Sequence, residues 1–150
     1  LQATRRKIMA KASRDKGARG EREVIDILQP IVDNAYRAAG LQPPCLKRTS
    51  SMQADGGGCD VHGIDWLALE VKRCETLQLE AWWRQCLAQA KPGQMPVLVY
   101  RQNSRQWRAR LWLQAAVTNT TVVADLSIAD FCSYFEAGLM LYLYRERMAS

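Results

Sequence analysis

The chain has 150 residues, 48% of them apolar and 24% charged, with a net charge of +6. That length suits one domain with one core, and those shares exclude a disordered chain. No run approaches the roughly 20 apolar residues that span a bilayer. The first twenty residues are basic and lack an apolar core, so no export signal is expected. Five cysteines (Cys45, Cys59, Cys74, Cys86, Cys132) form no CxxC pair, which points to free thiols in a reducing cytoplasm. His62 is the single histidine, so a zinc site is not expected. Any metal would take oxygen ligands, which favours Mg²⁺ or Mn²⁺.

Charge is concentrated at the start. Residues 1–23 hold eight Lys or Arg, among them Lys16, Arg19 and Arg22, against three acids, Asp15, Glu21 and Glu23. Such an arm suits a polyanion partner or is a solvated, frayed terminus. From Ala18 a helix is predicted, because Val24, Ile25, Leu28, Ile31 and Val32 recur at three- and four-residue steps. Glu21 falls on that apolar stripe and Glu23 falls off it. A carboxylate on the buried side costs free energy unless it is paired or bound to metal. Glu21 is therefore a candidate to reach a site, or else a first-turn acid favouring the helix dipole. Pro30 is expected to end or kink the helix, with residues 34–44 as connector.

A short strand is predicted over Cys45–Thr49, carrying Lys47 and Arg48. The polar run from Thr49 to Gly58, with Ser50 and three consecutive glycines, reads as a loop. Trp66 to Lys72 alternates: Leu67, Leu69 and Val71 share one face, and Trp66, Ala68, Glu70 and Lys72 the other. Gly63 marks a turn, so Asp60-Val61-His62 is predicted to fold back on this strand. A two-residue loop would put Asp60 on the oily face. A three-residue loop, Gly63-Ile64-Asp65, puts Asp60 opposite Ala68 and diagonal to Glu70, roughly 7–8 Å away at the backbone. Two carboxylates converging from there can share one divalent cation.

Further on, Leu79–Ala90 reads as a helix. Its adjacent Trp82 and Trp83 fit a core better than a base-stacking platform. Pro96–Tyr100 is predicted as a strand. Gln106–Leu113 is predicted as a half-exposed strand whose outer face, Arg108, Arg110 and Trp112, is basic. Ser127 should begin a last helix, with Asp130 three residues on. Its stripe Phe131, Tyr134, Phe135, Leu139, Tyr142 and Leu143 either covers the sheet or forms a self-association surface. The tail after Tyr144 is expected to fray.

Several segments in this order resemble one family. They are Lys16-Gly17-x-x-x-Glu21-Arg22-Glu23, Lys47-Arg48-Thr49-Ser50, Asp60-Val61, Glu70-Val71-Lys72, Pro96-Val97-Leu98-Val99 and Trp107-Arg108. Together they resemble the PD-(D/E)xK nuclease superfamily, most closely the archaeal-type Holliday-junction resolvases and their phage relatives, over roughly residues 13–115. Cys59 stands where the family has Pro. The resemblance implies an α/β fold with a restriction-endonuclease-like core: a central mixed sheet of about five strands flanked by helices. Residues 1–16 would be a basic arm, 17–115 the core and 116–150 a strand/helix extension packing on the core or at a dimer interface.

The resemblance further implies a Mg²⁺- or Mn²⁺-dependent DNA endonuclease acting on four-way junctions as a homodimer, with no small-molecule cofactor and no membrane. Asp60 and Glu70 would be metal ligands, with the Val71 carbonyl alongside and Glu21 near the ion. Lys72 would orient or activate the attacking water. Arg48 and Ser50 would hold a phosphate, and Lys16, Arg19, Arg22, Arg73 and Gln85 would face DNA, with Gln85 also placed to orient water or Lys72. Two other readings stay open: a repair or restriction-type nuclease on other DNA, and a DNA-binding module without catalysis.

Overall fold

A computed structural model describes residues 1–49 and 59–150. The elements are α1 (Gln2–Ala38), β1 (Lys47–Arg48), β2 (Val61–His62), β3 (Leu67–Cys74), α2 (Leu79–Gln89), β4 (Met95–Gln102), β5 (Arg108–Gln114), β6 (Thr121–Ser127) and α3 (Ile128–Ala149). Among the described residues the fold is α/β, one six-stranded mixed sheet in sequence order flanked by three helices. β3 and β4 are parallel and the other neighbours antiparallel. A parallel pair needs a crossover, and α2 supplies it. No helix among the described residues is long and apolar enough to cross a membrane.

The period-two alternation sorts the sheet into two faces. Leu67, Leu69 and Val71 of β3, Val97 and Val99 of β4, and Ala109 and Leu111 of β5 meet α1 through Val24, Leu28, Val32 and Ala35. Phe131, Phe135, Leu139 and Leu143 of α3 complete the same core. The other face is smaller: Leu98 and Tyr100 pack on Trp82, Trp83 and Cys86 of α2. Both tryptophans are thus core, where each large side chain withdrawn from water contributes about 1.5–3 kcal/mol.

Several expectations are corrected. α1 runs through Pro30 and through the first part of the expected connector. Pro30 is on the exposed side, so the hydrogen bond it cannot make is left to water and its ring does not cut into the core. The first turns of α1 are helical and exposed. Trp66 does not share the face of Glu70. β3 begins only at Leu67, so alternation does not bind Trp66, whose ring packs on Phe135 (6.3 Å) and Tyr142 (5.7 Å) of α3. The sheet has six strands because β6 pairs with β5 along its whole length. α3 stays helical to Ala149, and Ser127 caps it by accepting from the Asp130 N–H at 3.1 Å. Arg110 is not on an open basic face. It is buried, held by Asp125 and Glu80.

Candidate active site

The β2–β3 hairpin brings two of the candidate acids together. Val61 pairs with Leu69, a slide of two residues from the expected register. An even slide keeps every side chain on its face, so Asp60 moves from beside Ala68 to beside Glu70. Gly63 accounts for the longer turn. It sits at φ 128, and a Cβ there would lie 2.9 Å from Leu46 Cδ2, so only glycine fits without strain.

Beyond Val61 the backbone ladder gives way to a side chain. The Asp60 N–H donates to the Leu69 carbonyl at 2.9 Å. The Asp60 carboxylate Oδ2 then accepts from the Val71 N–H at 2.8 Å. A residue's N–H and C=O point toward the same strand edge, so the Val71 carbonyl also looks toward Asp60.

Glu70 is 2% exposed. Its Oε1 accepts from Lys72 Nζ at 2.7 Å, and its Oε2 is buried with no partner. Burial pushes the Glu70 carboxyl up to about 7, and the Asp60 charge adds to this while Lys72 opposes it. Asp60 is raised as well, because burial outweighs the Val71 hydrogen bond and the Lys72 charge. Two neighbouring carboxylates thus share the influence of one ammonium, which is bonded to Glu70.

β1 brings the next layer. Arg48 pairs with Val61 across the strands, and its Nε donates to Glu21 Oε2 at 2.5 Å. Burial raises the Glu21 carboxyl, the Arg48 hydrogen bond opposes that, and Asp60 pushes it further up. Glu21 therefore approaches the acid pair, but its carboxylate is engaged by Arg48. Among the described residues no three His, Cys, Asp or Glu side chains stand at metal-holding spacing. A hard divalent cation would be held by Asp60, Glu70 and the Val71 carbonyl. The unpartnered Glu70 Oε2 and the uncompensated acid pair fit that use.

The remaining candidates are dispersed. Arg73 follows Lys72 but projects from the opposite face. It lines a cavity of about 590 Å³ with Lys16 and Arg19. Arg22 is exposed on α1. Gln85 is exposed on α2, flanking the buried stripe Trp82 and Cys86. Ser50 lies outside the described residues.

Three residues were missed. Gln89, seven after Trp82, lines a cavity of about 250 Å³ with Thr49, Cys59 and His62, and its Oε1 is buried without a partner. Helical spacing from Trp82 would have found it. Cys86 lies under the acids, and burial and their charge push its thiol up to about 12, so it stays protonated and unreactive. Glu23 binds Arg73 at 2.9 Å, Arg101 at 3.1 Å and the Trp107 indole N–H at 3.2 Å. No local signal marks Glu23, because its partners come from distant strands.

No protein-family model, no curated protein and no solved structure matches this chain.

Proposed function

We propose that the chain is a metal-dependent, structure-selective DNA endonuclease with a restriction-endonuclease-like core. Within the PD-(D/E)xK superfamily it would be of the Holliday-junction resolvase type, cutting phosphodiester bonds in four-way branched DNA. The observation that carries this reading is the Asp60–Glu70–Lys72 constellation, in which Glu70 is buried yet leaves one carboxylate oxygen without a partner. A buried carboxylate oxygen left without a partner costs stability unless a ligand completes it. A cation ligand needs one free.

A Mg²⁺ or Mn²⁺ ion held by Asp60, Glu70 and the Val71 carbonyl would supply a polarising charge at the scissile phosphate and ease deprotonation of water. The chain's own groups do the rest. Lys72, anchored on Glu70 Oε1, orients the attacking water for in-line displacement. Arg48 has spent its Nε on Glu21 and retains guanidinium donors for a non-bridging phosphate oxygen. Asp60 is positioned by the Val71 N–H, which occupies its Oδ2 and leaves its other oxygen for a cation. The +6 charge favours a polyanionic substrate. A resolvase acts as a homodimer in the cytoplasm, and the part-exposed Tyr134, Leu141 and Tyr144 of α3 offer apolar surface for pairing.

The test is incubation with an end-labelled immobile four-way junction, with Mg²⁺ and with chelator, and mapping of the nicks. Paired symmetric nicks are expected, absent with chelator and absent in Asp60→Asn while junction binding persists. Equal cutting of plain duplex would move the substrate to a repair or restriction-type role. Absence of metal-dependent cutting on every branched DNA would leave a DNA-binding module.

A further inference from the structure

We propose that the cleft between α1 and the β4–β5 turn, bounded by Lys16, Arg19, Arg73, Asn103 and Ser104, seats a second backbone phosphate of the bound DNA strand. It lies on the face of the sheet opposite Glu70. The inference rests on DNA as the partner, and it does not require that the DNA be cut.

The cleft encloses about 590 Å³. One wall is a single helical stripe, Ala12, Asp15, Lys16 and Arg19, spaced at three and four residues so that all four face the same way. The other wall is Arg73 at the end of β3 with Asn103 and Ser104 of the following turn. Gly20 lets the walls close at the bottom: a Cβ there would meet Trp107 at 3.3 Å and Arg73 at 3.4 Å.

Glu23, one turn beyond Arg19, is the anchor beneath. It holds Arg73 at 2.9 Å and Arg101 at 3.1 Å, and Arg101 lies over the Trp107 ring at 4.9 Å. Arg73 is thereby fixed before any ligand arrives, which lowers the entropy cost of binding. Its Nε is buried without a partner, and so is the Asn103 Oδ1; the Asn103 amide donates to a phosphate only with its oxygen and nitrogen exchanged. Among the described residues Lys16 and Arg19 have no carboxylate at ion-pair distance. Glu23 is already neutralised, so Asp15 is the one uncompensated acid in the wall. The Arg19 guanidinium, the Lys16 ammonium and the remaining Arg73 donors line one opening, a donor set that suits a phosphate.

The experiment measures binding of a fluorescent immobile four-way junction in chelator over a salt series. Lys16→Ala/Arg19→Ala is compared with Arg5→Ala/Arg6→Ala, which removes the same charge from α1 away from the cleft. The cleft pair is expected to weaken binding tenfold or more at about 0.1 M salt and to reduce the salt slope by about one. The outer pair should cost no more than about threefold. Asp15→Asn should tighten binding. Equal losses for the two pairs, or no junction binding by the unaltered protein, overturn the proposal. Cleft-specific binding without metal-dependent cutting would remove the nuclease reading and leave the cleft standing. Cutting with equal losses would do the reverse.

Discussion

Two charged side chains are buried among the described residues, Glu70 and Arg110, and they are treated in opposite ways. Arg110 is answered on every side. Its Nε and Nη2 form a fork on the two Asp125 oxygens, each at 2.9 Å. Nη1 reaches Glu80 at 2.7 Å, and the Tyr100 hydroxyl donates to Asp125 at 2.9 Å. Burial pushes the Asp125 carboxyl up, but the Arg110 and Tyr100 hydrogen bonds outweigh it and leave the group below its ordinary value. Glu70 shares Lys72 with a second acid, keeps one oxygen unpartnered and ends well above its ordinary value. A closed network is what fold stability selects. An open one costs stability, and a ligand that completes it is the physical reason to retain it.

The contrast should show most strongly in catalysis. Glu70→Gln keeps the side-chain volume and removes the charge, so metal-dependent nicking of a junction is expected to fall about 10³-fold or more in single-turnover assays. Asp125→Ala should leave the rate per folded molecule within about threefold, because it touches nothing in the acid pair. Asp125→Ala acts on stability. It leaves the buried Arg110 with Glu80 alone, whose side chain is 81% exposed. Urea unfolding should show a loss of about 1–3 kcal/mol, less than for a fully buried pair because Asp125 is itself partly exposed.

Glu70→Gln should move stability the other way, with a pH signature. The folded carboxyl titrates near 7 against an ordinary value of 4.5, so the unfolded chain releases its proton first as pH rises. Between those values the folded state holds the extra proton, and stability falls with rising pH until the loss is complete above about 7. In chelator the variant should therefore match the unaltered protein near pH 4.5 and exceed it by about 1–3 kcal/mol at pH 8. Equal pH dependence of the two proteins would mean Glu70 is not the strained group. The smallest effect is ligand linkage. Millimolar Mg²⁺ should raise the unfolding temperature at pH 8 by a few degrees, corresponding to about 1–2 kcal/mol. The rise should shrink at pH 5.5, where Glu70 carries a proton, and vanish in Glu70→Gln.

Much of the acid pair was legible before any coordinates. The alternation of Leu67, Leu69 and Val71 assigned Glu70 and Lys72 to one face, and parity placed Asp60 with them. That assignment survived a register slide because the slide was even. The slide itself was not legible. It depends on how Gly63 packs against Leu46, a contact between the hairpin turn and the segment before β1. That Glu21 pairs with Arg48 was equally hidden. Its place on the apolar stripe of α1 marked it as unusual, but its engagement by Arg48 spans 27 residues. Gln89 lies on the partly buried side of α2, at helical spacing from Trp82 and Cys86.

Period and propensity alone determined the helices α2 and α3, the inner strands and the face on which each side chain lies, because these depend on residues within a few positions of one another. Which charges are closed and which stay open was decided only by the tertiary structure. Arg110 reads as an outward base until β6 brings Asp125 beside it, and Glu23 reads as a solvated acid until β3, β4 and the start of β5 deliver Arg73, Arg101 and Trp107. Electrostatic free energy is set by distance through space and by exclusion of water, and neither is carried by order along the chain.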